Sequence, residues 1–148
     1  MLRISKLADY ATVILVHLAR HSEQLCNARD IAHDTRLTVP TVSKLLKRLT
    51  NAGLLVSVRG ASGGYRLQRL PREISVREIL SALDELHGLT ECREHTNVCA
   101  LEHVCHVQGN WRLISQVIEN TLEQVSLEAL ATPSLGVPGL IKQGNMLW

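Results

Sequence analysis

Aromatic side chains are scarce in this chain of 148 residues, which has two Trp, two Tyr and no Phe. An aromatic-centred core is therefore excluded, and the 45% of hydrophobic residues must build one mostly from Leu, Val, Ile and Ala. Long apolar runs are missing too. The run Ala11 to Ala19 is too short to span a bilayer and contains His17. The opening Met1-Leu2-Arg3-Ile4-Ser5-Lys6 lacks the apolar stretch of a signal peptide, and Asp9 interrupts the apolar pattern soon after. These absences predict a cytoplasmic protein with no membrane partner. In that compartment clustered cysteines serve metal binding or redox chemistry more often than a disulfide framework.

Signatures of catalysis are also lacking. No nucleophile, base and orienting group stand in a recognisable arrangement, and no carboxylate pair has a defined pocket. The tract Gly60-Ala61-Ser62-Gly63-Gly64 is followed by no Lys-Ser/Thr pair and opens no helix, so it is neither a Walker loop nor a dinucleotide fingerprint. The expectation is a protein that is not an enzyme and takes no small-molecule substrate. There is no internal repeat, and the length suits one domain, or one domain with an oligomerisation appendage.

What is present is a segregation of charge. Residues 1–80 carry 13 Lys/Arg against 6 Asp/Glu, whereas residues 81–148 carry 3 against 8. A basic half joined to an acidic half is the footprint of a nucleic-acid-contacting module with a second part that points elsewhere.

The apolar spacing of Leu7, Ala11, Ile14, Leu15, Leu18 and Ala19 predicts a helix over residues 5–21 capped by Ser5. A shorter helix opens at Asn27, with Asp30 in its first turn, and ends near Arg36. A third begins around Thr38, tolerates Pro40 in its first turn, and stops at Gly53. Two short helices joined by a tight turn form a helix-turn-helix. The extended run Leu54 to Val58, the glycine-rich tip and the extended run Tyr65 to Leu67 then read as the wing of a winged helix. Ser75 with Glu78 forms a capping box opening a fourth helix to about Leu83. Residues 87–106 show no sustained periodicity. Val107, Trp111, Ile114, Ile118, Leu122, Val125 and Ala129 make a heptad-like stripe on one long helix that ends before Pro133.

The fold class expected is therefore mainly α: a winged helix-turn-helix with a small β wing and a long C-terminal dimerisation helix. Residues 1–84 form the DNA-binding domain, 85–106 the cysteine-rich loop, 107–131 the dimerisation helix and 132–148 a flexible tail. Thr41, Ser43, Lys44 and Arg48 line the free face of the third helix, where they would meet base edges or phosphates in a major groove. The competing use of those residues is a solvated helix face. Arg59 at the wing tip suits a narrow minor groove. Ser62, Gly63, Gly64 and Tyr65 complete the DNA-facing set. A plain hairpin turn is the alternative for Gly63-Gly64, but such a turn needs only one or two glycines, and this tip has three beside a basic residue.

Three of the four cysteines stand together as Cys92, Cys99 and Cys105, separated by six and five residues. Zinc modules bring paired cysteines closer than this, and wider spacing suits an iron–sulfur cluster, which needs thiolates from several sides. A single zinc held by three cysteines and a histidine is the serious competitor. Candidates for a fourth ligand are His106, His103, Asp9 or a residue of a partner subunit. Cys26 stands apart and reads as a small buried hydrophobe.

The opening Met1 to Tyr10, the wing Ser57-Val58-Arg59-Gly60-Ala61-Ser62-Gly63-Gly64-Tyr65-Arg66-Leu67 and the three-cysteine segment together resemble the winged-helix iron–sulfur regulators typified by IscR and NsrR. The opening decapeptide looks most like the regulator of the SUF iron–sulfur assembly system. The resemblance covers residues 1–130. It implies a homodimer on a duplex DNA operator and a cluster on the three cysteines, 2Fe–2S in preference to 4Fe–4S. It also implies a fourth ligand that is either a histidine shortly after the last cysteine or an N-terminal acidic residue of the partner. Asp9 matches the latter position. His106 follows Cys105 immediately and is displaced from the former, and the first cysteine gap is one residue longer than the family's usual five. The function implied is a regulator, expected to repress, that senses iron–sulfur status and controls cluster-assembly genes. A nitric-oxide-sensing repressor of the same family and a zinc-stabilised DNA-binding protein without a sensing role are the alternatives.

Overall fold

Capping side chains stand at the start of most helices. In the computed structural model, which describes residues 4–86 and 105–132, the Ser5 hydroxyl accepts from the Ala8 N–H at the start of α1 (Lys6–Arg20). The Asn27 side chain accepts from Arg29 and Asp30 N–H groups to open α2 (Ala28–Thr35). Each such bond satisfies a donor that the first helical turn leaves without an intrahelical partner. Between α2 and α3 (Val39–Asn51) the chain turns through Arg36 at φ 56°, with Leu37 N–H bonded to the Ala32 carbonyl. That closes α2 in a left-handed C-terminal cap and fixes the helix-turn-helix.

Strands β1 (Leu55–Val58) and β2 (Gly64–Leu67) pair antiparallel, Leu55 opposite Leu67 and Val58 opposite Gly64. A further bridge joins Cys26 to Tyr65, so the α1–α2 connection lies against the wing. After one turn of 3-10 helix (Pro71–Glu73) comes α4 (Val76–Ser81), and the expected capping box is formed in full by Ser75 and Glu78. Burial pushes the Glu78 carboxyl up, but hydrogen bonds from Ser75 and the Arg69 guanidinium outweigh it and hold the group below its ordinary range.

The core is built as the composition requires. Among the described residues nineteen form it, all aliphatic except Cys26, with Tyr10 and Tyr65 packed at its margin. Ile14, Leu15 and Leu18 of α1, Val42, Leu45, Leu46 and Leu49 of α3, and Ile74, Ile79 and Leu83 all belong to this one cluster.

The C-terminal helix differs from expectation. Helix α5 (Gln108–Gln124) stops at Val125, which is extended, and Ser126 caps a separate helix α6 (Leu127–Ala131). The break has a reason in packing. Val125 accepts from Val76 N–H and Leu127 donates to the Ile74 carbonyl, each at 2.8 Å, and Leu127 is fully buried. Arg20 Nε also donates to the Ala131 carbonyl. The helical stretch from 107 to 131 is thus not one unbroken helix, and its last part is anchored to the winged-helix core through Leu127.

Candidate nucleic-acid interface

Helix α3 divides into two faces. Val42, Leu45, Leu46 and Leu49 are buried, and Ser43, Lys44 and Lys47 are exposed on the other side. Lys47 was not among the contact residues expected from sequence. Its signal was present, since it stands three residues after Lys44 and one turn after Ser43, squarely opposite the buried positions. Thr41 is half-buried, with its hydroxyl 2.8 Å from that of Thr38. Thr38 makes no side-chain cap to α3. The first turn thus lacks that side-chain acceptor, and a helix N-terminus suits phosphate. Arg48 does not stand free: its Nη2 lies 2.8 Å from Asp84 Oδ2.

The wing tip is exposed from Val58 to Ser62, and Arg59 and Ser62 are therefore open to a ligand. The two adjoining glycines have a different place. A Cβ on Gly63 would stand 2.2 Å from the Val58 carbonyl oxygen, and one on Gly64 would run into the Cys26 backbone. Tyr65 exchanges both backbone hydrogen bonds with Cys26 and packs at the edge of the core. Gly63, Gly64 and Tyr65 build the wing, and Gly64 is buried beneath its surface.

Of the expected ligand set, Cys105 is half-buried just before α5, His106 beside it is exposed, and Asp9 is exposed in the first turn of α1. Cys92, Cys99 and His103 lie outside the described residues. Among the described residues no group of three or more His, Cys, Asp and Glu side chains is placed to hold a metal ion. Cys26 is buried, and burial, followed by Asp30 and Asp34, pushes its thiol up, which makes it a poor nucleophile or ligand.

Helix α5 presents an apolar surface of its own. Trp111, Leu113, Ile114 and Val117 are 41–63% exposed. Ser115 is buried, while Ile118 and Leu122 are half-buried, Leu122 against the core. The apolar face left open is rotated away from the Ile118–Leu122 side of the expected stripe.

A model of the Rrf2 family, described as iron-dependent transcriptional regulators, matches residues 4–133. The chain belongs to the Rrf2 family. Protein rrf2 of Nitratidesulfovibrio vulgaris is 30% identical over 130 residues, 87% of each chain. The HTH-type transcriptional regulator IscR of Xenorhabdus nematophila is 32% identical over 130 residues, 87% of this chain and 79% of its own. The solved structure of CymR, the global cysteine regulator of B. subtilis, matches with a TM-score of 0.69 at 30% identity, covering 88% of this chain and 97% of its own. This Rrf2 protein is thus a DNA-binding transcriptional regulator and not an enzyme, and its helix-turn-helix and wing are those of a winged-helix regulator. Among the described residues no helix is long and apolar enough to cross a membrane.

Proposed function

We propose that this Rrf2 protein is a cytoplasmic homodimeric repressor that reads a pseudo-palindromic duplex operator and controls iron–sulfur assembly genes in response to a cluster it carries. The observation that carries the DNA reading is the exposed row Ser43, Lys44 and Lys47 on α3, beside a wing tip that offers Arg59 and Ser62. Cationic and hydroxyl side chains on the exposed face of a helix match the donors and acceptors of a major groove. Arg59 on a narrow tip matches the negative potential of an A·T-rich minor groove. The apolar face of α5 supports a second copy as partner, since neighbouring exposed apolar side chains at Trp111, Leu113, Ile114 and Val117 suit an interaction site.

Cys92, Cys99 and Cys105 would hold the cluster, 2Fe–2S, with Asp9 of the partner subunit or His106 as fourth ligand. When bound, it would supply an iron- and redox-dependent tie among the three thiolates. Zinc on the same thiolates is the outcome that would remove the sensing role.

The test is anaerobic purification with iron, sulfide and zinc analysis, followed by operator binding before and after chelation. Coloured protein with iron and sulfide, and DNA affinity that changes on chelation, are expected. Colourless protein with stoichiometric zinc would overturn the sensing reading. In the same assay Arg59→Ala weakens binding most at operators with an A·T-rich flank, and Lys44→Ala weakens it across sequences while lowering the salt dependence.

A further inference from the structure

Arg48 lies on the flank of α3, and its guanidinium is bound to a carboxylate of the same chain. That carboxylate is held by backbone geometry. Past α4, Glu85 N–H donates to the Leu80 carbonyl at 3.0 Å and Asp84 N–H to the Ser81 carbonyl at 3.1 Å, with Asp84 at φ 54°. This is a helix closure in which the left-handed position normally falls to glycine, and an aspartate occupies it here. Leu83 on one side is buried in the core, and Glu85 on the other accepts the hydroxyl of Ser5, the cap of α1. The turn is pinned at both ends and aims Asp84 at Arg48.

An exposed ion pair of this kind, with the Asp84 side chain 85% exposed, contributes little to stability. Its consequence lies in what it occupies. A guanidinium binds carboxylate and phosphate through the same fork of donors, so the two compete for it. We propose that Asp84 is an intramolecular competitor for DNA phosphate at Arg48: it holds the guanidinium in the free protein and yields it on the operator, which lowers DNA affinity. The inference rests on the reading that α3 faces duplex DNA.

The test uses the full chain and a duplex selected from a random-sequence pool, with affinity measured over a range of potassium chloride. Asp84→Asn keeps a residue that tolerates the left-handed backbone while removing the charge. It is expected to bind roughly two- to fivefold tighter, the range an exposed ion pair corresponds to. Arg48→Ala is expected to bind more weakly and to lower the salt slope by about 0.9, the value of one phosphate contact. The double variant should match Arg48→Ala. Weaker or unchanged binding by Asp84→Asn overturns the proposal, and so does a gain that persists without Arg48, which would mark general charge repulsion. If Lys44→Ala also leaves binding untouched, the placement of α3 on DNA is what fails.

Discussion

A side chain on Gly64 would collide with Cys26: its Cβ would stand 2.8 Å from the Cys26 carbonyl oxygen and 3.2 Å from the Cys26 nitrogen. The close approach exists because Cys26 and Tyr65 exchange two backbone hydrogen bonds, at 2.9 and 3.1 Å. The base of the wing is thereby stitched to the connection between α1 and α2. The wing's orientation relative to the helix-turn-helix is a property of this seam.

Gly64→Ala should therefore act on the fold before it acts on DNA. The neighbouring atoms are backbone and have little room to give, so a loss of about 1–3 kcal/mol is expected. Urea denaturation should show a lower midpoint for Gly64→Ala and an unchanged one for Ser62→Ala at the exposed tip. Equal midpoints for both would show that the seam tolerates a methyl group.

Much of this arrangement was legible in the residues. Ser5, Asn27 and the pair Ser75 with Glu78 announced helix starts because capping is local chemistry, read within four residues. Gly63 and Gly64 were legible as wing residues, but their reason was not, since it depends on the Val58 carbonyl and on Cys26, far away in the chain. The break after Gln124 was hidden for the same cause. Val125 and Ala129 continue an apolar stripe that a single helix would satisfy, and the break is favoured by the long-range bonds to Ile74 and Val76 and by the burial of Leu127. The partner of Arg48 is equally non-local, as Asp84 is thirty-six residues on.

The rotated face of α5 separates two substitutions that the sequence stripe treated alike. Ile114 is exposed, whereas Ile118 is half-buried. Ile114→Glu should give a stably folded monomer, because a carboxylate left unpaired in an apolar interface costs several kcal/mol on association and little in the monomer. Ile118→Glu should instead lower the melting temperature. Sedimentation showing Ile114→Glu still dimeric would move the interface off this face.

Stability should fall on mild acidification because of His17. Burial of the ring, followed by the neighbouring His21, holds its pKa below the ordinary 6.5, with Asp34 pulling weakly the other way. Above that value both folded and unfolded chains carry a neutral ring. As pH falls through it, the unfolded chain takes up a proton that the folded chain resists, so stability drops. Denaturation midpoints measured from about pH 7.5 to pH 5.5 should decline in the native protein and decline less in His17→Gln. Parallel curves would assign the pH dependence to other groups.

The fourth ligand is open to a two-variant comparison. His106 adjoins Cys105, yet adjacent side chains on a chain tend to point apart, and Cys105 already takes one direction. Asp9 is exposed in the first turn of α1, where a carboxylate also favours the helix dipole, an effect worth only about 0.3–1 kcal/mol. Asp9→Ala should consequently keep the fold and the dimer. A hard carboxylate beside soft thiolates makes a labile site, which suits the proposed response to loss of a cluster. The expected result is that anaerobic Asp9→Ala shows an altered visible spectrum and faster iron loss in air, with His106→Ala matching the native protein. The opposite pattern assigns the position to His106. A spectrum unchanged in both would leave the three thiolates to be completed by another group and remove Asp9 and His106 from the site.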